Sequence, residues 1–153
     1  MVFDILEPFF QLLLATILGG LVGIERELAG KTAGLRTYAL VALGSALFSL
    51  MSKMAFVEYI GLTNLDPARI AAQIVVGVGF IGAGVIIFNR SHVKGITTAT
   101  GLWVAAAIGM AVAYRFYALA VFTTFLTLVI LGVLWWFEIY LDKNFHIKKT
   151  KDE

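Results

Sequence analysis

The chain contains no cysteine, only two histidines and few charged residues. Without cysteine it can form no disulfide, no thiolate metal site and no cysteine nucleophile. His92 and His146 lie outside the long apolar segments, so neither an H-E-x-x-H motif nor a histidine pair within the membrane is present. Aspartate and glutamate do not cluster within one segment, as an obvious cation site would require. We therefore expect no catalytic residue, no metal site and no cofactor.

Apolar residues fill the chain instead. Hydrophobic residues make up 60% and charged residues 14% of the sequence, against about 45–50% and 25% in soluble domains. Tyr117 to Leu134 is a run without a single charge, and about 18 to 20 such residues cross the hydrocarbon core of a bilayer. The net charge of +2 is small, and no basic face with interleaved aromatics suggests nucleic acid. The sequence predicts an all-α integral membrane protein.

Five transmembrane helices are predicted, over about 5–25, 35–56, 68–88, 97–113 and 117–140. Together they form one transmembrane domain over residues 1–141, followed by a short basic tail over 142–153. Asp66 and Pro67 are typical of a helix start, with the aspartate as N-cap. The stretch from Lys53 to Leu65 either extends the second helix or lies in the interface.

The distribution of lysine and arginine predicts the orientation. The loops after helices 1 and 3, together with the tail, hold nine of the twelve basic residues, and the opposite side holds three. By the positive-inside rule the larger group lies in the cytoplasm, so the N-terminus is outside and the C-terminus cytoplasmic. The larger group is Arg26, Lys31, Arg36, Arg90, Lys94, Lys143, Lys148, Lys149 and Lys151, and the smaller group is Lys53, Arg69 and Arg115.

Glycines recur within the predicted spans. Gly77 to Gly82 match G-x-G-x-x-G, but no strand precedes them and no acidic residue follows at the spacing of a dinucleotide site. In lipid, glycines at this density usually allow close helix packing. Helix 3, with small residues on more than one side, is expected to be central. The residues predicted to pack between helices are Gly19, Gly23, Gly77, Gly79, Gly82, Gly84 and Trp103.

Polar residues at three helix ends form a candidate ligand site, and helix N-termini attract anions. An acidic lipid headgroup or a phosphate would fit there, although the charges also fit a structural ion pair or simple contact with water, and the threonines fit helix caps. Arg69 and Gln73, one turn apart on helix 3, form a second candidate, for which Asp66 offers a structural partner. The first candidate site comprises Glu25, Arg26, Glu27, Arg36, Thr37, Thr97 and Thr98.

Four stretches resemble, in order and spacing, the membrane domain of the MgtC/SapB family of bacterial membrane proteins. They are Leu18 to Glu27 (LGGLVGIERE), Lys31 to Phe48 (KTAGLRTYALVALGSALF), Asp66 to Ile87 (DPARIAAQIVVGVGFIGAGVII) and Val93 to Trp103 (VKGITTATGLW). The resemblance runs from about Leu12 to Ala113. The family positions found here include all residues of both candidate sites and, in addition, Gly23, Gly34, Leu35, Gly77, Gly79, Gly82, Gly84, Gly95 and Trp103.

The resemblance implies a five-helix plasma-membrane domain with its N-terminus outside, linked to growth under magnesium limitation and, in pathogens, to virulence. Longer members carry a soluble cytoplasmic domain after the fifth helix, so a short form with the transmembrane domain only is expected here. The leading hypothesis is a non-enzymatic protein of the bacterial plasma (inner) membrane. It would act by binding another membrane protein, a second copy of itself, or an anionic ligand such as an acidic lipid. The alternative is a small ion transporter or channel built as an oligomer.

Overall fold

The computed structural model describes residues 2–57, 68–89, 92–137 and 140–141, and within them the predicted five-helix chain is confirmed. Asp66, Pro67, residues 58–65 and the basic tail lie outside the described residues. A hairpin joins α3 to α4, and a π-helical turn over Ile130–Leu134 continues α5. The elements are α1 (Val2–Leu28), α2 (Leu35–Val57), α3 (Ala68–Val85), β1 (Ile87–Asn89), β2 (His92–Lys94), α4 (Ile96–Ala113) and α5 (Tyr117–Val129).

Four of the described helices are long and apolar enough to cross a bilayer. They supply the segments Ile5–Leu28, Leu35–Ala55, Ile96–Ala113 and Tyr117–Phe137. The 18 described residues of α3 rise about 27 Å, slightly less than a hydrocarbon core of about 30 Å. A fifth span through α3, and the sides on which the termini lie, remain predictions.

α3 ends at Val85 instead of continuing to residue 88 as predicted. The apolar run continues through Ile87 and Phe88, which is why the sequence favours a longer helix, but these residues pair as a strand with Lys94 and Val93. Gly95 then starts α4 with a left-handed φ of 92°. A Cβ at this position would overlap the Val85 carbonyl group, so only glycine permits this close return of the chain.

α4, rather than α3, is the central helix of the described bundle. It packs against all four other helices, whereas α3 packs mainly on α4 and contacts α2 sparsely. The face of α4 has a small residue at every fourth position, a pattern that lets helices approach closely in lipid. This pattern is present in the sequence, but the prediction of a central helix was based on the glycines of α3 instead. The four small residues, all buried, are Gly101, Ala105, Gly109 and Ala113.

The close contacts of α1, α2 and α4 leave no room for further atoms. A Cβ at Gly19 would lie 2.8 Å from the Tyr38 carbonyl oxygen, and one at Gly23 would lie 2.7 Å from the Cα of Leu35. A Cβ at Gly109 would overlap the carbonyl group of Ala42. Because lipid gives helices no hydrophobic drive to associate, such packing carries much of the stability of the bundle.

The residues predicted to pack on α3 have mostly open surroundings. Gly82 faces Ala99 of α4, with 3.5 Å between its Cβ position and the Ala99 Cβ. Gly77, Gly79 and Gly84 have nothing within 4 Å of a Cβ, and on α4 the side chain of Trp103 is 51% exposed. The reason is that α3 packs one face against α4, so its remaining glycines have no atom of the described chain in contact with a Cβ position.

We expect Gly109→Leu to destabilise the bundle by about 3 kcal/mol or more, because its side chain would overlap the α2 backbone. Gly84→Leu, at an open position on α3, should change stability by less than about 0.5 kcal/mol. Thermal unfolding of each purified variant in detergent measures the difference. Equal loss of stability in both variants would contradict the packing described for α3.

Candidate functional site at the basic end of the bundle

Arg26 is a buried residue at the last turn of α1. Its side chain is 4% exposed, and its Nε and Nη2 donate hydrogen bonds to the carboxylate of Glu25. Nη2 also lies 3.5 Å from the carbonyl oxygen of Leu131, within the π-helical turn that continues α5. The charge of Arg26 is therefore compensated inside the protein, and this arginine connects α1 to α5 instead of facing a ligand.

Glu27 binds the start of α2. The Leu35 N–H donates to Glu27 Oε2 over 2.9 Å, which supplies a partner to an otherwise unsatisfied group of the first turn. Gly34 allows this contact, because a Cβ there would lie 2.7 Å from the same oxygen. A carboxylate at a helix N-terminus also compensates the positive end of the helix dipole. The α2 terminus is thus already occupied by an acidic group of the chain itself.

Thr97 and Thr98 lie in the first turn of α4. Gly95 occupies the N-cap position, and no side chain caps this helix. Thr98 is buried, and its carbonyl oxygen accepts a hydrogen bond from the Tyr38 hydroxyl over 3.2 Å. Thr97 is exposed, and its carbonyl oxygen accepts from the hydroxyl of Thr100 over 2.9 Å. Both threonines therefore serve the packing and start of α4.

Arg36 and Thr37 have a different setting, at the mouth of a groove between α2 and α3. Arg36 is exposed and Thr37 is half-buried. Within the part of the chain that the structure describes, the Arg36 guanidinium has no ion pair and no hydrogen bond. We call the end of the bundle where α1 ends and α2 begins, with Arg26 and Arg36, the basic end.

The groove has a volume of about 680 Å³, and its walls are mainly apolar side chains of α2 and α3. Gly44 on α2 and Gly77 on α3 both line the groove, and nothing lies within 4 Å of a Cβ at either position. Gln73, half of the second candidate site, also lines this groove, whereas Arg69 is exposed and does not. Arg36, Thr37 and Gln73 thus line one groove, and the remaining candidate residues are not among its lining residues.

Tyr38 is the residue of this region that the sequence analysis missed. It is fully buried where α1, α2 and α4 meet, and a Cβ at Gly101 would overlap its hydroxyl group. Its hydroxyl reaches α4 through Thr98, as described above. A tyrosine one turn into an apolar span, directly after Arg36 and Thr37, was the available signal, since a buried phenol in lipid needs a partner.

A second polar cluster ties the opposite end of the bundle together. Arg115 forms an ion pair with Glu7, and the Tyr117 hydroxyl donates to the same carboxylate over 3.1 Å. The Gln11 side chain donates to the carbonyl oxygen of Val112 over 2.8 Å. These bonds satisfy the end of α4 and fix α1 against it, so we assign the cluster a structural role.

The described residues include no group of three or more histidine, aspartate or glutamate side chains that could hold a metal ion. Together with the four long apolar helices, the site defines a multi-pass membrane protein with one open polar mouth and no obvious catalytic arrangement among its described residues. Residues 12–139 match the model of the MgtC family. The chain belongs to the MgtC family of bacterial membrane proteins.

Similar proteins agree with this assignment. The putative magnesium transporter YhiD of Escherichia coli K12 is 45% identical over 147 residues, which cover 94% of this chain and 68% of YhiD. Protein MgtC of Salmonella typhimurium LT2 is 48% identical over 100 residues, or 65% of this chain and 40% of that protein. An uncharacterized protein of Haemophilus influenzae is 38% identical over 130 residues, or 82% of this chain and 55% of that protein. No solved structure matches the chain.

Removing the partner of Arg26 should cost much more stability than removing the charge of Arg36. Glu25→Gln leaves the Arg26 charge buried without its partner and should cost about 3–5 kcal/mol. Arg36→Gln should cost less than about 0.5 kcal/mol, because that side chain is exposed and unpaired in the described structure. Thermal unfolding in detergent measures both values. A large loss of stability in Arg36→Gln would place that arginine in the structural framework.

Proposed function

We propose that this chain is a non-enzymatic inner-membrane protein of bacterial adaptation to low magnesium, and that it acts by binding a membrane component at the groove between α2 and α3. The observation that carries the proposal is the Arg36 guanidinium, exposed and unpaired in the described structure, at the mouth of an apolar groove of about 680 Å³. By the positive-inside rule, this mouth lies at the cytoplasmic surface. The magnesium link comes from the name of YhiD, a putative magnesium transporter.

Binding is favoured over catalysis by the chemistry of the groove. Its polar lining residues are Arg36, Thr37, Ser45 and Gln73, none of which is a carboxylate or an imidazole. Ser45 already donates to the Ala106 carbonyl oxygen over 2.7 Å. No general base or activated nucleophile among the described residues therefore faces the space, whereas an arginine with a hydroxyl beside it is a common anion-binding arrangement.

We expect Arg36→Gln to abolish the growth advantage that the wild-type gene gives a deletion strain in low-magnesium medium, because it removes the charge at the groove mouth. The amount of membrane-inserted protein should stay within about twofold of wild type, given the exposure of the side chain. Lys94→Gln is the matched control, since Lys94 is an exposed basic residue at the same end but outside the groove. Normal growth with Arg36→Gln would refute the proposed site.

A second candidate function is ion transport by an oligomer. The name of YhiD favours it, as does the open face of α3 with Gly77, Gly79 and Gly84, which leaves space for a neighbouring copy. Because a single chain shows no cluster of metal ligands in its described ranges, a pathway would have to form between copies.

Flux measurements separate the two functions. We expect purified wild-type protein in proteoliposomes to give no saturable Mg²⁺ uptake above that of protein-free vesicles. Gly109→Leu, in which the bundle should not pack, serves as the misfolded control. Saturable uptake that is present with wild type and lost with Gly109→Leu would replace the binding proposal with the transport function.

A further inference from the structure

We propose that the groove between α2 and α3 seats one acyl chain of an anionic phospholipid, and that Arg36 and Thr37 bind the phosphate of its headgroup. This inference rests on the proposed function, because it names the ligand class of the same site. Its basis is a pair of features: a positive charge at the mouth without an acidic partner among the described residues, and an apolar space behind it.

The charge at the mouth is available because the neighbouring carboxylates are engaged elsewhere. Glu25 binds the Arg26 guanidinium, and Glu27 accepts the backbone N–H of Leu35. Arg36 therefore offers a planar fork of N–H donors without an acidic partner in the described structure. A phosphate accepts such donors in pairs, and its charge complements the guanidinium.

The walls of the groove behind the mouth are mainly apolar, so they favour the hydrocarbon part of a ligand. Leu40 and Phe48 line the groove from α2, and Ile74 and Ile81 line it from α3. Ser45 is committed to the α4 backbone, as described above. Gln73 also lines the groove, but its side chain is exposed. A free phosphate or a soluble anion would leave these apolar walls unused, whereas a lipid fills both parts.

The dimensions suit an acyl chain. From Arg36 to Phe48, α2 rises about 18 Å, close to the depth of one leaflet, about 15 Å of a 30 Å hydrocarbon core. Small-molecule sites occupy about 300–1,000 Å³, so the space suits one hydrocarbon chain.

Two glycines keep the groove open and supply the test. A Cβ at Gly44 or Gly77 meets no atom within 4 Å, so a larger side chain would enter the groove without displacing the described protein. Gly77→Leu should therefore fill the space and leave the bundle folded. Gly79 is equally open and lies on the same helix, but it does not line the groove, which makes Gly79→Leu the matched control.

The experiment measures retention of phosphatidylglycerol and phosphatidylcholine by the detergent-purified full chain, using native mass spectrometry. Wild type should bind phosphatidylglycerol about tenfold more tightly than phosphatidylcholine, because the choline cation of phosphatidylcholine offsets the charge of its phosphate near Arg36. Gly77→Leu should weaken binding of both lipids about tenfold, since it removes the seat of the chain. Arg36→Gln should abolish the preference between the two lipids, whereas Gly79→Leu and Lys94→Gln should match wild type.

Three results would overturn the inference. The first is wild-type lipid affinity in Gly77→Leu, and the second is equal affinity of wild type for the two lipids. The third is competition by glycerol phosphate as strong as that by phosphatidylglycerol, which would indicate a free anion without a chain. A change in oligomer mass in Gly77→Leu, with lipid retention unchanged, belongs to the first result and would assign the groove to a second copy of the chain.

The growth assay separates this inference from the proposed function. If Gly77→Leu loses lipid and cells still grow normally in low magnesium, the lipid site stands and the proposed function fails. If Arg36→Gln loses growth while its lipid preference is unchanged, the proposed function stands and the lipid inference fails.

Discussion

The contact of α1, α2 and α4 around Tyr38 is the constraint on which the rest of the bundle depends. Lipid tails are as apolar as the side chains of a helix, so the hydrophobic effect does not drive helices together in a bilayer. They are held together instead by close packing and by hydrogen bonds between polar groups. Here backbones approach at Gly19, Gly23 and Gly109 until no Cβ would fit. Tyr38 fills the remaining space and bonds to the Thr98 carbonyl oxygen. The other two helices pack on this group of three: α3 contacts α4 and α2, and α5 contacts α4 and α1.

Three arginines near helix ends, Arg26, Arg36 and Arg115, show how the surroundings decide the role of a charge. Arg26 and Arg115 each have a carboxylate partner, Glu25 and Glu7, and they connect α1 to α5 and to the end of α4. Arg36 has none in the described part of the chain, and its surroundings are a groove instead of a helix contact. Pairing stabilises the bundle at both ends and leaves Arg36 without an acidic partner among the described residues.

Much of the fold followed from composition and spacing, because long apolar runs between charged gaps fix where helices can be. The glycines of α1 also lie at close helix contacts, as their G-x-x-x-G spacing indicates. On α3, Gly77 lines a groove instead, and Gly79 and Gly84 meet no neighbour, since a small residue allows an approach but does not require one. The strand pairing of Ile87 with Lys94 was not predicted, because the apolar Ile87 and Phe88 look like a continuation of α3. Partners such as Glu25 for Arg26, or Leu35 for Glu27, depend on side-chain directions that spacing alone does not give.

The packing of Tyr38 also limits how this sequence can vary among relatives. At Gly19 and Gly109 the nearby atoms include backbone of α2, so these positions must stay glycine whatever side chains α2 carries. At Gly101 the obstacle is the Tyr38 hydroxyl group. Positions 38 and 101 should therefore covary: a relative with a small residue at 38 is free to carry alanine or serine at 101, and a relative with tyrosine at 38 is not.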